Sequence, residues 1–191
     1  MRGLDNDVEN ISDFLTKKQN DFDRVMQLSR EIIREAGQTI TLLHNDAKKE
    51  ARYRLDDMRN KVTELQGLDS QFKYNTQQAY QEFAEATIFF EIKTKKTIPA
   101  RARLKIDEES YLLGLMDVVG ELKREILEAL RKNDIEIADF YLDTMKNIYD
   151  STRRLRFAEA VLSGFRKKQD VARIQIENAG SEILSFMHRR K

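Results

Sequence analysis

Two pairs of acidic residues have the types and spacing that could build a chemical site. Glu82 and Glu85 lie three residues apart in "YQEFAEATIFF", and Asp117 and Glu121 lie four residues apart in "YLLGLMDVVGEL". On a helix, residues three or four apart share one face, so each pair would present two carboxylates together. If the two helices pack antiparallel, four carboxylates could converge on an all-oxygen site, which is the ligand chemistry that Mg²⁺ or Mn²⁺ prefers.

The first acidic pair lies in an apolar setting. Phe89 and Ile92 follow it on the same side of the helix, and the opposite side carries a core stripe made of Phe72, Ala79, Phe83, Ala86 and Phe90. A helix that is apolar almost all round is typical of one enclosed by its neighbours. Carboxylates there are costly unless a cation or a hydrogen-bond donor compensates them. The alternative is a solvated edge, because acids are frequent enough in this chain for such pairs to arise by chance.

Such a site would suit the hydrolysis of phosphodiester bonds. Divalent cations activate water and stabilise charge on the attacking and leaving oxygens, and basic tracts could hold the phosphates of the strand. The longest basic tract runs from Lys93 to Lys105 without an acid, and shorter tracts are "RRLR" (153–156), "FRKK" (165–168) and the terminal "HRRK". Solvated helix ends and loops are an equally good interpretation of each tract taken alone.

The composition argues against several other chemistries. The chain has 191 residues, no cysteine and two histidines, His44 and His188. Disulfides, thiolate metal sites and a cysteine nucleophile are therefore excluded, and a histidine-rich zinc site or a histidine-driven triad is disfavoured. The sequence has no glycine-rich phosphate loop. The net charge of +1 does not by itself indicate a nucleic-acid partner.

The elements that must position these acids are helices. One proline (Pro99), seven glycines and apolar spacing of three and four residues predict an all-α fold in a single domain over residues 1–191. We expect a bundle of about six to seven long helices, over about 6–45, 46–65, 70–93, 107–132, 134–162 and 165–189. The first is expected to bury a stripe made of Ile11, Phe14, Phe22, Met26, Leu28, Ile32, Ile33 and Ile40.

Two glycines and the N-terminal segment complete these expectations. Gly114 and Gly120 border the second acidic pair, and we interpret them as sites of close approach by another helix or, alternatively, by a ligand backbone. The N-terminal "MRGLDNDVEN" lacks the apolar core of a secretory signal. No stretch approaches the roughly eighteen apolar residues of a membrane-spanning helix. We therefore expect a cytoplasmic protein with no membrane association.

The acidic segments resemble those of one known family. "YLLGLMDVVGELKREI" resembles a helix of the translin superfamily, and more specifically of translin-associated factor X (TRAX), in which Tyr-Leu-x-Gly is followed by Asp-x-x-x-Glu-Leu. "YQEFAEA" is similar to the Glu-x-x-Glu segment of the preceding helix. Looser similarity, from about residue 29 to 184, includes "SREIIREAGQTITLLH" and "FRKKQDVARIQIENAGSEIL", so the resemblance covers most of the chain.

The resemblance implies an all-α protein that assembles into a hollow, roughly octameric shell around nucleic acid. It also implies Mg²⁺-dependent endoribonuclease activity on RNA, with Glu82, Glu85, Asp117 and Glu121 as the metal-binding and catalytic residues. Translin-type chains lack this full acidic set, so its presence indicates the catalytic branch. The short chain and the compact linker around Pro99 suggest a minimal form of the archaeal kind, which would assemble as a homo-oligomer and would not require a translin partner.

The expected substrate is RNA, in duplex or structured form. Contacts to its phosphates are assigned to Arg52, Lys73, Lys93, Lys95, Lys96, Arg101 and Arg103. One alternative is a non-catalytic oligomer of the translin type that binds RNA or single-stranded DNA. Another is a structural helical oligomer without a nucleic-acid role, whose RNA binding would be negligible and insensitive to salt.

Overall fold

The structure, a computed structural model, describes residues 2–189, with side chains from residue 3 onward. Within that range it contains seven α-helices: α1 (Arg2–His44), α2 (Lys48–Leu68), α3 (Lys73–Lys95), α4 (Arg101–Leu104), α5 (Glu108–Arg131), α6 (Ile135–Thr152) and α7 (Phe165–His188). A 3₁₀ turn, Asp69–Gln71, joins α2 to α3. The prediction of an all-α bundle is confirmed. Arg190 and Lys191 of the terminal basic tract lie outside the described residues.

Helices α3 and α5 form the centre of the bundle. Helix α3 packs against α1, α2 and α5, and α5 packs in addition against α6 and α7. Every residue of α3 from Phe83 to Ile92 is buried, as the apolar sequence on both sides of this helix predicts. Helix α5 is buried along a stripe from Leu113 to Leu130 that includes the acid Glu125, whereas Asp117 and Glu121 lie partly exposed beside it.

Local sequence explains where the central helices begin and end. Asp107 caps α5, since its carboxylate accepts a hydrogen bond from the backbone N–H of Ser110 at 2.8 Å. Glu108 and Glu109 occupy the first turn, where acids complement the helix dipole. Helix α3 ends where Lys96 adopts a left-handed conformation, with a φ of 57°. The helix start expected near 107–109 is therefore confirmed.

Helix α6 is shorter than the sequence predicts. It ends at Thr152, whereas the expected helix continues to residue 162. The buried amide of Gln169, on α7, donates a hydrogen bond to the Thr152 carbonyl at 2.9 Å, and the Thr152 hydroxyl donates to the Ile148 carbonyl at 2.8 Å. The contact from α7 and the local hydroxyl bond satisfy the end of the helix where the chain turns back, so the prediction of a continuous helix to 162 is wrong.

The N-terminal half of α1 projects from the bundle. All residues from 3 to 20 are exposed, including Ile11 at 56% and Phe14 at 60%. The prediction that these two residues are buried is wrong, because no described element packs against this half of the helix. Burial begins near residue 22, and Leu28 and Ile32 lie in the core as expected.

None of the helices in the described range is long and apolar enough to cross a membrane.

Candidate active site

The two acidic pairs face each other because α3 and α5 pack unusually closely at Gly114. A Cβ atom on Gly114 would lie 2.5 Å from the backbone oxygen of Gln81 and 2.7 Å from the Cβ of Ala84. The backbones could not approach so closely with any other residue at this position. The interpretation of close helix packing is therefore confirmed for Gly114, whereas Gly120 meets only the Gln175 side chain, at 3.5 Å.

The four predicted carboxylates lie close enough to perturb one another. Burial, together with the charges of Asp117 and Glu82, raises the pKa of Glu85 to about 9. Burial and the charge of Asp117 also raise the pKa of Glu82, and Glu121 adds to both shifts. Only nearby charges act in this way. The structure thus brings Glu82, Glu85, Asp117 and Glu121 together, and Glu85, which is 8% exposed, is the most deeply buried of them.

Asp117 is held from two sides. The Gln81 amide, on α3, donates a hydrogen bond to one carboxylate oxygen at 2.6 Å. The Lys168 ammonium, on α7, forms a salt bridge with the other oxygen. Lys168 also opposes the rise in the pKa of Glu82 and Glu85, because its positive charge favours their ionised forms. Helix α7 therefore contributes a cation to the acidic site.

Glu121 belongs to a buried chain of charged side chains that begins on α1. The His44 ring contacts Glu121 through Nε2 at 2.5 Å and Glu125 through Nδ1 at 2.6 Å. Lys93 donates to the other oxygen of Glu125 at 2.8 Å. Burial opposes charge on His44, but its hydrogen bonds to the two glutamates raise its pKa. Burial likewise opposes charge on Glu125, and the hydrogen bonds from His44 and Lys93 lower its pKa.

Sequence reasoning missed three members of this site: His44, Gln81 and Lys168. His44 was disfavoured because the chain has so few histidines, and nothing in the local sequence "TLLHND" marks it. Its partner Glu121 lies 77 residues away in the chain. Lys168 belongs to the "FRKK" tract, whose charge was visible but whose carboxylate partner, 51 residues away, was not.

The expected phosphate-binding residues of the 93–105 tract are largely engaged within the protein. Lys93 is buried beside Glu125, with 7% of its side chain exposed. Lys95 and Arg103 both pair with the buried Glu91, at 3.0 Å and 3.5 Å. Because a buried carboxylate needs compensating cations, moving these side chains away to bind a phosphate would destabilise the protein.

The other four basic residues are more accessible. Three of them have partners: Lys96 over the Phe140 ring at 4.2 Å, Arg101 with Glu108 at 3.1 Å, and Arg52 with Asp56 at 3.6 Å. Lys73 lines a groove with Tyr74, whose side chain is 91% exposed. The role of all seven basic residues in binding phosphates stays a prediction.

The four carboxylates are of the chemical type that binds a hard divalent cation, although they are not spaced as a cluster of metal ligands. No group of three or more His, Asp or Glu side chains in residues 2–189 stands at the spacing that holds a metal ion. Burial and the neighbouring carboxylates raise the pKa of Glu82 and Glu85, and a cation bound beside them would favour their ionised forms. Lys168 supplies a single positive charge. Carboxylate oxygens are the donors that Mg²⁺ and Mn²⁺ prefer.

The fold and the site together define a helical-bundle protein with acidic side chains along the contact between two closely packed central helices. Comparison with known proteins agrees: the Translin family matches residues 20–179, so the chain belongs to the translin family. It is 31% identical to an uncharacterised protein of Methanocaldococcus jannaschii, over 95% of this chain and 83% of that one. It is also 28% identical to mouse translin-associated protein X, over 71% of this chain. That match covers 62% of the mouse protein, so the chain spans less than two thirds of its length.

Solved structures show the same architecture. A chain of AfC3PO, in a structure of its complex with duplex RNA, superposes with a TM-score of 0.88 at 26% identity, covering 96% of this chain and 97% of that chain. A chain of apo-NeC3PO superposes with a TM-score of 0.87 at 20% identity, covering 94% and 96%, which indicates a shared fold alone. The resemblance to the translin superfamily and the translin-like fold are thus confirmed.

Proposed function

We propose that this protein is a metal-dependent endoribonuclease that hydrolyses phosphodiester bonds in duplex or structured RNA. The proposal rests on the close packing of α3 and α5 at Gly114, with Asp117 and Glu121 near enough to Glu82 and Glu85 to raise the pKa of both, that of Glu85 to about 9. Such perturbed acids cluster at functional sites, because catalytic groups need pKa values that differ from those of free side chains. Membership of the translin family, and the duplex RNA bound to the similar AfC3PO, support RNA as the ligand.

Each carboxylate has a role in this proposal. Glu82, Glu85, Asp117 and Glu121 would hold Mg²⁺ or Mn²⁺, which when bound activates water and stabilises negative charge at the phosphate. Glu85 keeps its proton near neutral pH in the free protein, so it must release that proton before it can act as a ligand. Gln81, Lys168 and His44 orient Asp117 and Glu121. Such supporting contacts set the direction of ligand oxygens.

We further propose that residues 1–191 form one translin-like domain that assembles into a homo-oligomeric, octamer-like shell without requiring a translin partner. The projecting half of α1 supports this assembly. Leu4, Val8, Ile11 and Leu15 recur every three or four residues and are each more than half exposed. This is the spacing of a helix that packs against another helix. An apolar stripe of this kind marks an interaction site, and the described chain offers nothing to cover it.

The second candidate function is non-catalytic binding of RNA or single-stranded DNA. It is favoured by the engagement of Asp117 with Lys168 and Gln81, and by the missing ligand cluster among the described residues. In this alternative the carboxylates would serve only to organise the bundle.

A cleavage assay on the sized oligomer separates the two functions. A labelled RNA duplex is incubated in Mg²⁺ or in EDTA with the wild type, with a Glu85→Gln/Asp117→Asn double variant, and with Glu128→Gln as a control. Glu128 lies on the same helix but pairs with Arg131, outside the site. We expect the wild type and Glu128→Gln to cut only in Mg²⁺, and the double variant not to cut. Unchanged cleavage by the double variant would refute the site, and bound but uncut RNA would establish the second function.

A further inference from the structure

The two short basic tracts meet at one edge of the carboxylate site. The side chain of Gln169, which is 3% exposed, accepts a hydrogen bond from Arg156 at 3.0 Å while it donates to the Thr152 carbonyl. This buried amide therefore fixes the "RRLR" segment against the first turns of α7, which contain "FRKK". The segments are separated in sequence, and the early end of α6 brings them together.

This basic edge is continuous with the acidic site. Lys168 forms the salt bridge to Asp117. Lys167 and Lys168 line a groove of about 400 Å³ between α5 and α7, which Asp117 lines from the other side. Met116 and Val171 supply apolar surface in the same groove. A strand whose phosphodiester reaches the carboxylates would pass along this edge.

The charge of the edge is strongly positive, and half of its cations have no partner among the described residues. Residues 153–168 contain six basic side chains and one acidic side chain, Glu159. Arg154, Arg166 and Lys167 are exposed. They have no ion pair or side-chain hydrogen bond with any residue in the described range. Surface cations without an internal partner can engage phosphates without first breaking a contact within the protein.

In the 93–105 tract, by contrast, several cations are paired with acids of the protein. Lys93, Lys95 and Arg103 compensate buried glutamates, so their engagement by RNA would leave those carboxylates unpaired. Of the basic clusters in the sequence, the one beside α7 therefore combines free charge with contact to the acidic site.

We propose that Arg154, Arg166 and Lys167, here called the α7 rim, bind backbone phosphates of the RNA strand beside the carboxylate site, an inference that rests on the proposed function. The rim neutralises the strand next to the scissile linkage and holds it in register with Asp117. Its contacts are to the phosphate backbone, so they position the RNA without reading its sequence.

The test is equilibrium binding of a labelled 20-base-pair RNA duplex to the full-length protein in EDTA, between 50 and 200 mM salt. The α7 rim variant is Arg166→Ala/Lys167→Ala, and the matched control, Arg131→Ala/Lys132→Ala, removes the same charge at the end of α5, where both residues pair with Glu128. Each lost phosphate contact lowers the salt slope by about 0.9, so the rim variant should lose about 1.8. Over this fourfold salt range, the wild-type Kd should then rise about twelvefold more than that of the rim variant.

Three outcomes are distinguishable. A reduced slope in the rim variant, with a wild-type slope in the control, supports the α7 rim. A wild-type slope in the rim variant overturns it, whatever the control does, and leaves the proposed function standing. Absent or salt-insensitive RNA binding by the wild type overturns both. Urea unfolding of each variant checks that these exposed substitutions leave the fold intact.

Discussion

Replacing Gly114 with alanine should separate the two helices that carry the site. The added Cβ would lie 2.7 Å from the Cβ of Ala84 and 2.5 Å from the backbone oxygen of Gln81. Carbon atoms in contact stand about 3.5–4.0 Å apart, so α3 and α5 must separate by about 1 Å. Because the nearest atoms belong to the backbone and to a Cβ, no side-chain rotation can relieve the overlap.

The expected change in the free energy of unfolding of Gly114→Ala follows from two opposing effects. Overpacking of a tight interior costs about 1–3 kcal/mol, and the fixed atoms opposite Gly114 put this site near the upper end. Alanine gains about 1 kcal/mol over glycine in helix propensity. The free energy of unfolding should therefore fall by about 2 kcal/mol. A shift of about 1 Å in Glu85 relative to Asp117 should also lower the proposed RNA cleavage roughly 100-fold.

Urea unfolding at a fixed protein concentration measures the change in stability. With an m value of about 3 kcal/mol/M, the midpoint should fall by about 0.7 M. Gly120→Ala is the matched control on the same helix, because its Cβ meets only Gln175 at an ordinary 3.5 Å. That variant should be up to about 1 kcal/mol more stable than the wild type. If Gly114→Ala matched Gly120→Ala in both stability and cleavage, the close approach of the helices would be refuted.

Three further predictions concern charge and helix propensity. Burial raises the pKa of Glu85 from 4.5 to about 9. The stability that protonated Glu85 contributes to the folded protein is therefore fully present below pH 4.5 and is lost as the pH rises toward 9. In EDTA, the wild type should therefore lose on the order of a few kcal/mol of stability between pH 5 and 9, and Glu85→Gln should lose less, as measured by urea unfolding. His44→Phe leaves Glu121 and Glu125 without their shared partner, and urea unfolding at pH 7 should show a loss of about 3 kcal/mol. Gly37→Ala, where no atom lies within 4 Å of the added Cβ, should gain about 1 kcal/mol by the same measurement.

Each of these predictions has a result that would contradict it. Parallel pH profiles for the wild type and Glu85→Gln would mean that Glu85 is ionised in the folded protein at neutral pH. A His44→Phe variant as stable as the wild type would mean that the two glutamates find other partners. A loss of stability in Gly37→Ala would indicate a contact at that face of α1, such as one with a second copy of the chain.

The local sequence pattern predicts most of the helices and the four carboxylates of the site, but not the residues that contact those carboxylates. The spacing of apolar residues predicts each long helix, and the apolar sequence around Glu82 and Glu85 predicts an enclosed α3. Both features depend on residues within one or two turns of each other, which is the range over which helix formation and amphipathic burial act. The glycine between the acidic helices was likewise visible as a point of close approach.

The rest of the fold and of the site depends on contacts between residues that are far apart in the sequence. Helix α6 ends at Thr152 because Gln169 reaches its carbonyl, and the first half of α1 is exposed because nothing in the described chain packs there. His44 and Lys168 join the acids through residues far away in sequence.

The sequence by itself determined the presence of the long helices, most of their buried faces and the four acidic candidates, because each is a matter of side-chain type and helical spacing. Only the tertiary structure decided which cations compensate those acids, and hence which basic residues stay free for another partner. The physical reason is that a buried carboxylate requires a charge partner. Which partner it finds depends on helix packing and not on proximity along the chain.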